Sequence, residues 1–483
     1  MFFNYNDLIA ASPIIFLSVY SLLLLVVDAT LKKPANVVYW LTLLGLVVTG
    51  ALTVNTYFAS GDAFNGMVFT GRFPAFFEVV FVLSAGLSVL LSKPYLEKEE
   101  VHYGEYYSLV VFATVGMMLM ASARDLMVLF LGLELMSISL YVLAGFVRRD
   151  TKSNEASLKY FLLGAFATGF FLYGISLVYG ASGTTNLAVI FGEFASIQGD
   201  PLLWIGAALI LVGLSFKISA VPFHMWVPDV YEGSPTTISG FMSTGGKAAG
   251  FAALVIVFSY SIRPTWQFQL VIAYLAAFTM VLGNLIALVQ QNIKRMLAYS
   301  SIAHAGYALV GIASANSLGR TGVLYYMLAY TFMQIGAFGV VSVLESKEGK
   351  YLKISDYEGL AYRHPFIAAL MALFMFSLAG LPPFAGFFGK YYLFASAVTA
   401  NLTWLAIVGV LASVVSVYFY INVVVNMYFK DLSRPQSGSF GAEGSTAVPI
   451  SKLGATALII AAAAVIGLGL VPGYIVALTE KLF

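Results

Sequence analysis

The chain has 483 residues, 60% hydrophobic and only 10% charged, with a formal net charge of +2, whereas soluble domains carry about 25% charged residues. That deficit, with a mean hydropathy of +0.89, excludes a water-soluble fold. The lack of any cysteine excludes disulfides and thiolate-held zinc or iron–sulfur clusters, so a redox centre must sit in another polypeptide.

About 20 apolar residues cross the roughly 30 Å hydrocarbon slab as a helix. Apolar runs between charges and Gly/Pro punctuation predict spans at 8–30, 37–59, 73–92, 106–122, 124–146, 157–181, 203–226 and 236–259. Six more follow at 268–290, 297–315, 323–344, 366–399, 402–429 and 453–478, making an all-α polytopic membrane protein of about 14 transmembrane helices. The fourth and fifth are divided only by Arg124–Asp125. The first lacks a basic leader region and a small-residue cleavage site, which marks a retained helix rather than a signal peptide.

Lys and Arg concentrate on the cytoplasmic side of a membrane. Of the 25 here, 16 fall in the loops of one side, while the other side holds Arg72, Arg124, Arg263, Arg320 and Lys481. Both termini are therefore expected to face away from the cytoplasm. The remaining four, Lys159, Lys217, Lys247 and Lys390, lie inside predicted helices.

A charge at a helix centre costs about 2.5–3.5 kcal/mol on insertion scales, so such residues need partners or water. Glu134, in LFLGLELMSISLYVL, lies about 15 Å into its span at the helical rise. It fits either a structural ion pair or a carboxylate coupled to a proton-carrying lysine. Lys217 (GLSFKISAVPFHMW) and Lys247 (STGGKAAGF) are mid-span, the second flanked by glycines that permit close packing. Lys159 sits about one turn into its helix, where it can snorkel to the headgroups or guard a proton entrance.

Pro382 and Pro383 must break the helix that carries Lys390, because each lacks an N–H and clashes with the preceding turn. Ala220-Val221-Pro222 is a comparable interruption. Broken helices at membrane depth mark ion pathways in transporters. Two breaks five spans apart predict two inverted five-helix units, residues 106–260 and 261–430, between an N-terminal three-helix segment (1–105) and a C-terminal loop and helix (431–483).

Of the four histidines, His224 lies beside the first break and His304 in AYSSIAHAGY, among hydroxyls that can organise water. Paired haem-ligating histidines at matched depth are missing. The segment 227–235 is read as a loop without Lys or Arg, and its Asp229 and Glu232 fit either a proton-attracting mouth or a packed turn.

The stretches PFHMWVPDVYEGSPT (222–236), KRMLAYSSIAHAGY (294–307) and LPPFAGFFGKYYLF (381–394) resemble the antiporter-like proton-translocating subunits of complex I and their relatives in multisubunit Na+/H+ antiporters. A Lys after PP-AGFFG and a chain ending soon after its last helix resemble the subunit N type. The resemblance implies that Glu134 and Lys217 form the charge pair of a first half-channel, that Lys247 is the central relay, that His304 lies on the hydrophilic axis and that Lys390 serves the exit. It implies no cofactor in this chain, with NADH, FMN, iron–sulfur clusters and quinone in partner subunits. The implied setting is a hetero-oligomer with other complex I membrane subunits, including other antiporter-like ones, in the lipid bilayer and without nucleic acid. The bilayer would be a bacterial plasma membrane with periplasmic termini, or a thylakoid membrane if the source is cyanobacterial or plastid. The alternative reading is a subunit of a multisubunit Na+/H+ antiporter.

Overall fold

The computed structural model describes residues 5–58, 61–262, 265–345, 351–430 and 451–482. The expected loop residues Arg263, Lys347, Lys350 and Arg434, and the start of the expected C-terminal segment at 431, lie outside them.

The N-terminal segment holds α1 (Tyr5–Ala10), α2 (Ser12–Thr30), α3 (Ala35–Tyr57), a hairpin of β1 (Gly61–Ala63) and β2 (Val68–Thr70), and α4 (Arg72–Lys98). The expected first span is divided because Pro13, at the head of α2, has no N–H to continue a ladder from α1. The hairpin pairs Gly61 with Thr70. Val68 also bridges Ala123, which pins the hairpin to the turn between the next two helices.

Those helices are α5 (Gly104–Ser122) and α6 (Leu126–Ala144), separated at Arg124–Asp125 as expected. Asp125 makes the separation, its side chain accepting the Met127 N–H at 2.8 Å to start α6. After them come α7 (Thr151–Ser182), α8 (Leu187–Ile197), α9 (Pro201–Ile218) and α10 (Val227–Gly233). Asp150, Asn186 and Asp200 cap three of these in the same way. Helices α7 and α9 approach closely at two glycines: a Cβ on Gly174 would lie 2.7 Å from the Gly206 carbonyl oxygen and 2.8 Å from the Ile210 nitrogen.

Three expectations need correction here. The seventh span does not reach 226: Ser219 adopts a left-handed conformation at φ 68° and the helix ends at Ile218. The segment expected as a loop at 227–235 contains the short helix α10. The 11-residue α8 occupies a stretch read as a connection, too short to cross a bilayer.

The centre is a run of α11 (Thr236–Phe241), a π turn (Met242–Gly246), α12 (Lys247–Val255) and a second π turn (Ile256–Ser261). Helices α13 (Trp266–Leu288), α14 (Ile293–Ser314) and α15 (Ser317–Leu344) follow. Every residue of Thr236–Phe258 is buried, as is all of α14 except Arg295 and Tyr299, whereas α2 and α7 bury only one stripe each, so α11–α12 and α14 form the core around which the outer helices pack. Lys294, expected in a loop, is instead the second residue of α14 and buried, its Nζ 2.9 Å from the Ser234 carbonyl and 4.0 Å from Glu345.

A 3-10 turn (Ile354–Tyr357) and α16 (Leu360–Arg363) lead to α17 (Pro365–Ala379) and α18 (Ala385–Thr399), two half-helices in the place of the twelfth expected span. Gly380, at φ 86°, ends α17 with a left-handed cap before Pro382 and Pro383. Helices α19 (Thr403–Phe429), α20 (Lys452–Leu470) and α21 (Pro472–Glu480) complete the chain, Pro472 ending the last expected span early. Among the described residues, 13 helices are long and apolar enough to cross a membrane. The half-helices α17 and α18 are additional to them.

Candidate functional site

Lys217, Lys247 and Lys390 are 5%, 2% and 4% exposed. Each is placed by an irregularity in its helix: Lys217 in the last turn of α9 before the break, Lys247 directly after a π turn, and Lys390 on the half-helix that follows Pro382–Pro383.

Lys217 sits in an aromatic cage. Its Nζ donates to the Tyr141 hydroxyl at 3.3 Å and lies 5.2 Å from the Tyr141 ring centroid and 5.5 Å from those of Tyr160 and Phe216. The rings attract the cation through their negative faces. Trp226, beyond the break, stacks on Tyr160 at 4.3 Å and donates Nε1–H to the Phe216 carbonyl at 3.0 Å, folding the interrupted segment back over the lysine. Glu134 is not in ion-pair contact with Lys217. Its carboxylate accepts the Thr168 hydroxyl at 2.8 Å.

Lys247 Nζ donates to the backbone carbonyl of Ser301 on α14. From the adjacent Ser300, a chain of side chains runs to the Tyr420 hydroxyl and on to His304, whose Nε2 lies 3.0 Å from that hydroxyl and whose Nδ1 bonds Tyr326. Each hydroxyl can donate one proton and accept another, and a neutral imidazole does both through its two nitrogens. The chain reaches the neighbourhood of Lys390, because Tyr326 packs against Gly389.

Lys390 Nζ donates to the Leu378 carbonyl at 3.1 Å, the Ala379 carbonyl at 3.0 Å and Ser413 Oγ at 2.9 Å, beside the Tyr307 ring at 4.8 Å. The two carbonyls belong to the last turn of α17, which no following helical N–H can satisfy, and the negative end of that half-helix favours a cation. A Cβ on Gly380 would lie 3.0 Å from Lys390 Cδ, so the turn must be glycine both for its φ and for the lysine's room.

Lys159 does not join this line. It pairs with Glu155 at 2.6 Å and Asp229 at 2.7 Å; Asp229 also meets Arg295 at 2.7 Å, and Arg295 meets Glu232 at 2.9 Å, which in turn holds Lys152 at 3.2 Å. Of the two readings of Asp229 and Glu232, this geometry favours the packed turn over the proton-attracting mouth: both carboxylates are paired with cations from α7 and α14. Burial alone would raise these two carboxyls, but hydrogen bonds from Lys159, Arg295 and Lys152 outweigh it and hold both below the usual carboxylate range.

Sequence reading missed Tyr141, Tyr420, Tyr326 and Ser413, since a tyrosine or serine among apolar residues is ordinary packing until its partners are seen. It also missed Glu78 on α4, 4% exposed, which accepts the hydroxyls of Thr53 at 3.0 Å and Ser122 at 3.4 Å. A charge in the apolar run FPAFFEVVFVL could have been found.

Among known proteins, residues 123–416 match the family described as "NADH:quinone oxidoreductase/Mrp antiporter, TM". The chain is 50% identical over 475 residues to the NADH-quinone oxidoreductase subunit N of Trichlorobacter lovleyi, covering 97% of this chain and 95% of that one. It is similar, at 36% identity and a TM-score of 0.83, to a chain of respiratory complex I from Thermus thermophilus with bound aureothin, covering 97% of this chain and 99% of that chain. A chain of the Mrp complex from Dietzia sp. shares the fold at a TM-score of 0.86 and 20% identity, covering 98% of this chain and 97% of that chain.

Proposed function

The chain belongs to the NADH-quinone oxidoreductase subunit N family and is a proton-translocating membrane subunit of complex I, and on that premise we propose that its protons pass along Lys217, Lys247, His304 and Lys390. Glu134 modulates the first of these, and Lys159 belongs to the charged rim outside the path. The observation that carries the reading is that all three lysines are at most 5% exposed and, among the described residues, donate to hydroxyl or carbonyl oxygens.

An ammonium held at membrane depth without a carboxylate in contact is costly when charged, so it gives up its proton when a neighbouring charge or a water contact changes. Three such groups in one chain form a series in which charging one disfavours charging the next. Between Lys247 and Lys390, the Ser300–Tyr420–His304–Tyr326 chain offers donors and acceptors in alternation. Between Lys217 and Lys247, the approach is at Gly250, where a Cβ would lie 3.8 Å from Lys217 Cβ.

Electron transfer from NADH to quinone takes place in partner subunits, which carry FMN and the iron–sulfur clusters; the absence of cysteine from this chain supports that division. The setting we infer is a bacterial plasma membrane, with both termini periplasmic and other antiporter-like subunits alongside. A phosphatase fused after Phe483 would then be active. The units 106–260 and 261–430 are read as inverted repeats, each with its interruption in the fourth helix. The Na+/H+ antiporter alternative rests on the family description, which takes in Mrp antiporters as well, and on the fold shared at 20% identity.

The test compares proton uptake with quinone reduction in vesicles holding the intact complex. Lys217→Ala and Lys390→Ala should each lower protons moved per electron pair. Wild-type stoichiometry in both would make the lysines structural. Lys→Met, closer in volume, replaces Ala where assembly fails.

A further inference from the structure

Lys247 owes its direction to the π turn at Met242–Gly246 immediately before it. A π turn inserts one residue, and one residue of α-helix corresponds to a rotation of about 100° and a rise of about 1.5 Å. Without that extra residue Lys247 would face about a quarter-turn away from the Ser301 carbonyl to which it donates. Such turns frequently stand at functional sites because they carry unpaired backbone groups and need outside support.

The support here comes from α4, in the N-terminal segment, which lies ahead of the family match at 123–416. Ser84 Oγ lies 2.8 Å from Thr244 Oγ1, and the Gly245 N–H donates to Ser84 Oγ at 3.1 Å. Thr244 Oγ1 in turn donates to the Gly240 carbonyl at 2.9 Å. With one proton per hydroxyl, one assignment satisfies every group: Gly245 N–H to Ser84, Ser84 O–H to Thr244, and Thr244 O–H to Gly240. All three residues of α11 and the π turn are buried, so no solvent can replace the serine. The approach is also tight, since a Cβ on Gly245 would lie 2.9 Å from Met117 Sδ and 3.1 Å from Ser84 Oγ.

We propose that Ser84 is a positioning residue for proton transfer, holding the π turn open from α4 and so aiming Lys247 at α14. The proposal rests on Lys247 being part of the proton path. It assigns a task in proton transfer to the N-terminal helices, which otherwise only flank the site. Among the described residues, the hydrogen-bond partners of Ser84 are Thr244 and Gly245, neither of which belongs to the path. Its hydroxyl is needed for geometry and carries no proton along the path.

The test is made in the intact complex in vesicles. Ser84→Ala should lower proton uptake by about tenfold, within the roughly hundredfold loss that a misplacement of about 1 Å brings at a reacting centre, and should change the pH profile of uptake. A merely structural contact would leave that profile unchanged. Ser84→Thr, which keeps the hydroxyl, should restore both. Thr244→Val removes the other hydroxyl and should reproduce the Ser84→Ala phenotype, and it decides the matter if Ser84→Ala does not assemble. An electron cryo-microscopy structure of the variant complex gives a readout independent of pumping: the π turn should relax to α-helix and Lys247 should leave the Ser301 carbonyl. Wild-type uptake, pH profile and π turn in both variants would overturn the proposal. If Lys247→Ala itself pumped normally, the proton path would fall instead, and the geometry of the Ser84→Ala structure would still decide whether Ser84 sets the turn.

Discussion

Lys390 Nζ lies 3.0 Å from the carbonyl oxygen of Ala379, the last residue of the half-helix α17, and thereby caps a helix other than its own. Lys217 has no such duty: among the described residues its hydrogen-bond partner is the Tyr141 hydroxyl.

The two lysines should therefore differ in stability cost while agreeing in function. Lys390→Met leaves the Leu378 and Ala379 carbonyls without their donor, at about 1–3 kcal/mol for each buried unsatisfied group, and should lower the unfolding midpoint more than Lys217→Met does. Thermal melts of the purified complex compare them. Lys390→Arg should keep the cap but not the pumping, because a guanidinium stays protonated at any working pH.

Tyr420→Phe removes a hydroxyl that serves both Ser300 and His304 Nε2. Proton uptake should fall, with the block between Lys247 and Lys390, and the protein should lose about 1–3 kcal/mol from the buried partners left behind. Uptake assays with a melt of the same preparation separate the two effects. Normal stoichiometry would mean that His304 is fed by another route.

Arg295 binds Asp229 and Glu232 together, and both carboxyls are held below their ordinary values of 3.8 and 4.5. A depressed folded-state value gives stability that is present above the unfolded value and lost as pH falls through the folded one. Arg295→Gln should thus destabilise at neutral pH, by up to about 1 kcal/mol for each partly exposed pair. The variant and wild type should converge once both carboxyls are protonated in acid. Unfolding midpoints followed from pH 7 downward would show whether the gap closes.

Gly174→Ala should part α7 from α9, since the added methyl would meet backbone atoms of Gly206 and Ile210 that cannot rotate away. Overpacking of this kind costs about 1–3 kcal/mol. The melt should shift down with little change in protons per electron pair, provided the complex assembles.

Much of this architecture was legible because lipid penalises charge so heavily. Four lysines in apolar runs, and prolines at 222, 382 and 383, stand out without any partner being known, and they locate both breaks and the buried Lys217, Lys247 and Lys390, though not the buried Lys294 at the head of α14. Contacts across long stretches of chain left no such trace. Lys152 and Glu232 are 80 positions apart, as are the partners in the Asn316–Ser396 contact, and Ser84 and Gly245 are 161 apart. Tyr420 was hidden for a different reason: among 29 tyrosines, hydropathy cannot separate one that bonds a histidine from one that packs. The π turn before Lys247 has no signature in the periodicity, because STGGKAAGF reads equally well as uninterrupted helix.

The placement of Glu134 bears on what this polypeptide can be by itself. On α6 its immediate helical neighbours Leu131 and Ile138 are 57% and 56% exposed, so the carboxylate stands on the outer flank of the helix bundle with Thr168 as its hydrogen-bond donor. Acyl chains cannot solvate an ionised carboxylate, and the cost of leaving one at such depth is several kcal/mol. In an isolated copy in lipid this flank of α6 would face acyl chains. A protein surface laid against α6 would put polar partners there in place of acyl chains, so the surroundings of Glu134 depend on what adjoins this helix.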